Sequence, residues 1–267
     1  MSELLTRALT GAAYVALTLG AAWAGPFPTA LLFLPVCAIA AHEFHRLYWR
    51  ADEGPLPLWS VLLASTVYVT VALGAVLPHW QAGYAVGLSF MLLLIGVTMS
   101  LRRGAAAPAE EFGGQLLLIA YVALPFALLP HLLSEGPYIL MGTFFLLWTN
   151  DTGAYLVGRS IGRTKLLPSV SPKKTIEGLL GGVALTLVVA WVLSRFWTVL
   201  PLQDWLVMGL LVSTTATLGD LLESAFKRAR GVKDSGKVLP GHGGIMDRFD
   251  GFLLTIPAVF VHLHHLR

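Results

Sequence analysis

The segment "LPGHGGIMDRFDG", residues 239–251, sets Asp247, Arg248 and Asp250 directly ahead of "FLLTIPAVFVHL", a run apolar enough to enter a bilayer. Asp247 and Asp250 are three residues apart, so a helix starting here places both on one face. Negative charge at a helix N-terminus complements the helix dipole, which accounts for one of the two carboxylates. It does not account for "GHGG". Gly241, Gly243 and Gly244 leave backbone N–H groups clear in a turn of the kind that forms anion-binding concavities, and His242 and Arg248 add directed donors. A glycine turn, cations and paired carboxylates together suggest a metal-bound polyphosphate at a membrane surface.

Three further clusters carry chemistry of the same kind. In "TATLGDLLESAFKRARGVKDSGK", Asp220, Glu223, Ser224 and Lys227 fall at i, i+3, i+4 and i+7 on one helical face. That face suits a phosphate and metal site, or it is a helix end with ordinary charge pairs. In "FFLLWTNDTGAYLVGRSIG", Asn150 and Asp151 lie inside an apolar run, where an Asp costs about 2.5–3.5 kcal/mol at the helix centre and needs a cavity or a partner. In "LLPSVSPKKTIEG", Lys173 and Lys174 fit an anionic-lipid anchor and a phosphate holder equally well. Gly178 and Gly182 just after them form a small-xxx-small pair suited to close helix packing. Glu43, with His42 and His45, could line a site, and the tail histidines His262, His264 and His265 could bind a metal, but both groups are expected to be solvated and interfacial.

The elements that position these residues are membrane helices. The chain has 267 residues, 56% of them hydrophobic and 12% charged, where soluble domains carry roughly 25% charged residues. Spans of about 20 apolar residues can be marked at 4–24, 27–48, 57–78, 80–101, 115–134, 138–158, 177–199, 203–226 and 249–265. Lys and Arg collect in cytoplasmic loops. With nine spans and the N-terminus in the cytoplasm, all of the 18 Lys and Arg except Arg195 and Arg267 fall on the cytoplasmic side. The expected fold is therefore all-α and polytopic, about nine transmembrane helices with the C-terminus outside. The net charge of +3 reports this topology, and no nucleic-acid partner is needed. Ala22-Trp23-Ala24 has the look of a signal-peptidase site, but the long apolar run argues for retention as a span. Cys37 sits in an apolar helix as a small buried hydrophobe.

Residues 1–267 read as one integral membrane domain. Helices 1–135 are mostly packing, and 136–267 form the half whose polar groups face the cytoplasm.

Residues 224–250, "SAFKRARGVKDSGKVLPGHGGIMDRFD", resemble the signature of the bacterial phosphatidate cytidylyltransferase (CDP-diacylglycerol synthase) family. The resemblance rests on Ser224, Lys227-Arg228, Lys233-Asp234, Gly236, Leu239-Pro240, His242-Gly243-Gly244, Asp247-Arg248 and Asp250. The upstream "ND", "SPKKTIEG" and "GDLLES" stretches extend it over about 145–251. It implies a Mg²⁺-dependent nucleotidyltransferase of the bacterial inner membrane, with its active site facing the cytoplasm. Such an enzyme transfers the cytidylyl group of CTP to phosphatidic acid, giving CDP-diacylglycerol and pyrophosphate for phospholipid biosynthesis. A homodimer and a second cation beside Mg²⁺ are compatible with it.

Asp220 and Asp247 are then the expected Mg²⁺ ligands, with Asp250 and Asp151 as further ligands or supporting groups, because hard carboxylate oxygens suit Mg²⁺. Lys227, Arg228, Lys233, His242 and Arg248 are expected to hold phosphates, with Lys173 and Lys174 nearby. Ser224 belongs to the substrate-binding set, and Gly243 and Gly244 give phosphate access to backbone donors. Two rival readings remain: a CTP-dependent lipid kinase of the polyprenol type, and a transporter or flippase.

Overall fold

The computed structural model describes residues 3–49, 54–77, 79–102, 107–236, 238 and 243–266. Helix follows helix, as the apolar runs require. In chain order they are α1 (Glu3–Ala24), α2 (Pro26–Tyr48), α3 (Pro57–Val76), α4 (Ala82–Arg102), α5 (Pro108–Leu118) and α6 (Leu124–Ala127). A hairpin of β1 (Lys165–Leu167) and β2 (Ser171–Thr175) then follows α7 (Pro137–Ile161), and α8 (Ile176–Phe196), α9 (Leu202–Ala229) and α10 (Met246–Val261) complete the chain. α5 and α6 belong to one rod, Pro108–Leu133, opened by a π turn at Ile119–Ala123. Pro125 explains the opening, since it lacks the N–H that an α-helix would donate to Tyr121.

Several helices start by the same local device. Pro26, Pro57, Pro108 and Pro137 occupy the first helical turn, where a missing N–H costs nothing. Gly25 and Gly136, at φ 111° and 100°, turn the chain into two of them.

Among the described residues, the helical rods coincide with the nine apolar segments read from the sequence. Six are long and apolar enough to cross a membrane: Pro26–Tyr48, Pro57–Val76, Pro108–Leu133, Ile176–Phe196, Leu202–Ala229 and Met246–Leu266. The protein is an all-α polytopic membrane protein, and the hairpin is a small addition where the sequence suggested only a loop.

The chain divides into two compact units. Unit 1 comprises Met1–Ser134 and Val232–Arg248, so the glycine-rich signature turn belongs with the N-terminal helices. Its core includes Phe33 stacked on Phe126 at 6.1 Å and Tyr68, whose hydroxyl donates to the Ala30 carbonyl at 2.7 Å. Unit 2 comprises Glu135–Gly231 and Phe249–Arg267. There α7 and α8 pack backbone to backbone: a Cβ on Gly153 would lie 3.2 Å from the Gly182 Cα, and one on Gly178 would lie 2.9 Å from the Ala154 carbonyl oxygen. Close packing is what the Gly178/Gly182 spacing predicts. Gly219 and Gly251 allow the same approach between α9 and α10.

Two expectations of solvated polar groups are overturned. Glu43 and His45 are buried, at 2% and 6% exposed, whereas His42 is exposed. His262 is also buried, its Nε2 3.6 Å from the Asp204 carboxylate, whereas His264 and His265 are exposed.

Candidate active site

A cavity of about 410 Å³ opens in unit 2 among α7, the hairpin, α8 and α9. α7 contributes Asp151, Tyr155 and Arg159, which at i, i+4 and i+8 share one face. The Arg159 guanidinium donates to the Tyr155 hydroxyl at 2.6 Å. Asn150, beside Asp151, is 3% exposed and also lines the cavity.

The hairpin brings in Lys173 and Lys174. A short, lysine-bearing ribbon has little stability of its own, and here it is clipped at its base. Glu177 accepts the backbone N–H groups of Arg163 and Thr164, each at 3.1 Å. Ile176 N–H reaches the Thr164 carbonyl at 2.9 Å, and Thr175 caps α8 by accepting the Gly178 N–H at 3.1 Å. At the ribbon's tip the Arg228 Nε donates to the Val170 carbonyl at 3.4 Å. Arg228 thus braces the hairpin in this structure.

α9 brings Thr217 and Asp220 to the cavity. Lys174 Nζ lies 2.6 Å from Asp220 Oδ2, and the Ser224 hydroxyl donates to Asp220 Oδ1 at 3.2 Å. The same face carries a second, deeper pair: Lys227 Nζ sits 2.7 Å from Glu223 Oε2, and Glu223 is 0% exposed. The i, i+3, i+4, i+7 pattern therefore resolves into a half-exposed Asp220 group and a buried Glu223–Lys227 ion pair.

Asp250 folds back on its own helix, accepting the Gly251 N–H at 2.6 Å. The charges of Asp151, Asp220 and Asp250 act on one another, with Lys174 as the opposing cation. Hard carboxylate oxygens gathered in this way, beside the cations of the cavity, are of the kind a divalent cation takes as ligands. Among the described residues no three His, Cys, Asp or Glu side chains form a ready cage for an ion. Mg²⁺ does not require one, since it is commonly held by one or two carboxylates together with water and substrate phosphates.

In unit 1 the signature turn is organised by Asp247. Its Oδ2 accepts the Ser235 N–H at 2.9 Å, the Ser235 hydroxyl at 3.1 Å and the Gly244 N–H at 2.8 Å. Gly243 has φ 81°, and a Cβ there would lie 2.7 Å from Asp247 Oδ2, so only glycine fits. Lys233 and Arg248 are exposed. His242 lies outside the described residues, as do Leu239 and Pro240 of the signature.

The structure thus gathers Asp151, Lys173, Lys174, Asp220 and Ser224 in unit 2, and Gly243, Gly244 and Asp247 in unit 1. Sequence reasoning missed Tyr155 and Arg159, although their spacing from Asp151 was the available signal. It also missed Ser235 and Glu43 as parts of the turn, and no local pattern marks them.

Comparison with known proteins gives the family of the chain. A sequence model of the cytidylyltransferase family matches residues 5–266. A phosphatidate cytidylyltransferase of Staphylococcus aureus is 44% identical over 150 residues, which is 55% of this chain and 57% of that protein. One from Staphylococcus saprophyticus is 45% identical over 149 residues, with the same coverage. The chain spans about half the length of these curated relatives. Because the family match runs through both units and nearly end to end, the chain belongs to the cytidylyltransferase family.

Proposed function

We propose that this protein transfers the cytidylyl group of CTP to phosphatidic acid, giving CDP-diacylglycerol and pyrophosphate. The observation that carries the reading is the unit 2 cavity, in which Lys173, Lys174 and Arg159 stand with Asp151 and Asp220. Cations and carboxylates side by side suit a metal-bound polyphosphate better than a neutral solute. The names of the relatives support the choice of substrates.

In this reaction a phosphate oxygen of phosphatidic acid forms a new bond to the α-phosphorus of CTP. The bond from that phosphorus to the α,β-bridging oxygen breaks, and pyrophosphate leaves with the electron pair. A phosphate monoester has a second pKa of about 6, so the nucleophile is already anionic at neutral pH and no strong general base is needed. The barrier is electrostatic, since two anions must meet, and fixed cations placed where charge develops lower it. Lys173, Lys174 and Arg159 take that part in unit 2, with Arg228 and Lys227 holding the hairpin and the end of α9. In unit 1, Arg248, Lys233 and His242 are the side chains we assign to donate hydrogen bonds to phosphate, and Gly243 and Gly244 leave room for phosphate against the backbone.

The Asp220 carboxylate is oriented by Lys174 and Ser224. With Asp151 and Asp250 beside it, it belongs to the set we assign to Mg²⁺ in unit 2; in unit 1, Asp247 is the carboxylate we assign to Mg²⁺. When bound, Mg²⁺ would supply charge neutralisation at the phosphates of the nucleotide and the leaving group. The assignment leaves room for a second cation.

The direct test is to incubate purified protein in detergent with CTP, phosphatidic acid and Mg²⁺. A CDP-lipid should form only when all three are present. No nucleotide-containing lipid, together with solute movement in reconstituted vesicles, would favour a transporter instead.

We propose nine spans in a bacterial inner membrane with the site facing the cytoplasm, and a homodimer is the assembly we expect. The distribution of Lys and Arg supports this orientation. A reporter fused after Arg267 is expected on the outer face and one inserted at 102–114 in the cytoplasm. Finding both on one side would refute the nine-span topology.

A further inference from the structure

We propose that Glu43, on α2, is a positioning residue that holds the glycine-rich signature turn and Asp247 in their working arrangement. Glu43 is the carboxylate from outside that segment to which the turn is tied. Its Oε1 accepts the Ile245 N–H at 3.0 Å, and its Oε2 accepts the Met246 N–H at 2.9 Å and the Ser235 hydroxyl at 2.8 Å. All of these partners are buried, and all lie 192 or more residues away in the chain.

The arrangement is a clamp of two carboxylates around one short segment. Glu43 receives the N–H groups of Ile245 and Met246, where α10 begins. Asp247 receives those of Ser235 and Gly244. Between them stands the Ser235 hydroxyl, within reach of both. A serine has one hydroxyl proton, so it bonds to one carboxylate at a time and ties the two acids into one network.

The glycines of the segment fit the same account. A Cβ on Gly244 would lie 2.5 Å from Glu43 Oε2, and one on Gly236 would collide with Glu43 Oε1. These two glycines let the backbone close on the Glu43 carboxylate. Burying a carboxylate is costly unless donors compensate it. A residue needed only to fill space on α2 would be apolar, as Phe44 beside it is, whereas this carboxylate is met by donors from a single distant segment.

Glu43 acts through the turn and touches no substrate. Its effect on turnover rests on the proposed cytidylyl transfer, but the clamp itself does not. Glu43→Gln keeps the size, removes the charge and sets an amide N–H₂ against a backbone donor. Exchange of the amides of Ser235, Gly244, Ile245 and Met246, followed by hydrogen–deuterium mass spectrometry, should accelerate roughly 10–100-fold. Amides of α7 to α9 should keep wild-type rates. kcat should fall roughly 10–100-fold, as for groups that orient a site's contacts, with the KM for phosphatidic acid little changed.

Ser235→Ala removes one hydroxyl and leaves every backbone donor in place, so it tests the clamp even if Glu43→Gln does not fold. It should give smaller changes of the same kind. Combined with Glu43→Gln it should add less than its own separate effect, because the two share one network. Wild-type exchange at these four amides together with wild-type kcat in Ser235→Ala, or in a folded Glu43→Gln, would overturn the proposal. If the unmodified protein makes no CDP-lipid, the proposed reaction fails, and the exchange measurement still decides whether the clamp exists.

Discussion

Asp220→Asn is expected to lower turnover by roughly 100-fold or more while leaving expression and detergent melting near wild type. Asparagine keeps the size and one acceptor oxygen but loses the charge that faces Lys174 at 2.6 Å. The two side chains are 26% and 36% exposed, so loss of the ion pair should cost at most about 1 kcal/mol of stability. The site loses more than the fold does. Without its anion, Lys174 is free to reorient, and the cavity loses one of the carboxylates assigned to the cation. Raised Mg²⁺ should restore part of the rate, because the defect is weakened binding. Asp220→Asn with near wild-type kcat at limiting Mg²⁺ would exclude Asp220 from the reaction.

Asp247→Asn is the second large effect, and it separates three roles. A carboxylate that only complements the dipole of α10 is worth less than about 1 kcal/mol, and turnover would then barely change. As a clip, Asp247 accepts two backbone N–H groups on Oδ2 and shares the Ser235 hydroxyl with Glu43, and hydrogen bonds to a charged group are worth roughly 1.5–3 kcal/mol each. Its loss would loosen the turn, raise exchange at Ser235 and Gly244, and not respond to Mg²⁺. If Asp247 also binds the cation, turnover should fall by orders of magnitude and recover in part at high Mg²⁺. We expect this last pattern, with Asp220 and Asp247 behaving alike and Asp250→Asn equal or milder. Asp247→Asn with no recovery at any Mg²⁺ and faster exchange in the turn would leave Asp247 as a clip only.

The helices were legible because the runs of apolar residues are long, although the fifth starts at Pro108, seven residues before the apolar run marked at 115, because Pro108 opens the helix within a polar stretch. The close approach of α7 and α8 was legible in Gly178 and Gly182. The hairpin was not. "SPKKT" lacks the β-branched alternation of a strand, and the ribbon is held by Glu177 and Arg228, which are tertiary partners rather than local ones.

The carboxylates of the candidate site were also visible, since charged groups inside apolar runs are costly and need a reason. What could not be seen is how each is used. One face of α9 holds both a half-exposed Asp220 and a buried Glu223–Lys227 pair, and helical spacing alone cannot tell a solvent-facing carboxylate from a buried one. Glu43 looked like an interfacial charge because the donors that neutralise it come from residues 235–246.

The reaction we propose transfers cytidylyl rather than phosphoryl. It is tested most directly by running the reaction with CTP labelled at the α- or the γ-phosphorus. α-Label is expected in the lipid product, with the β and γ phosphorus released together as pyrophosphate. γ-Label in the lipid, with CDP as the other product, would contradict it and establish a lipid kinase.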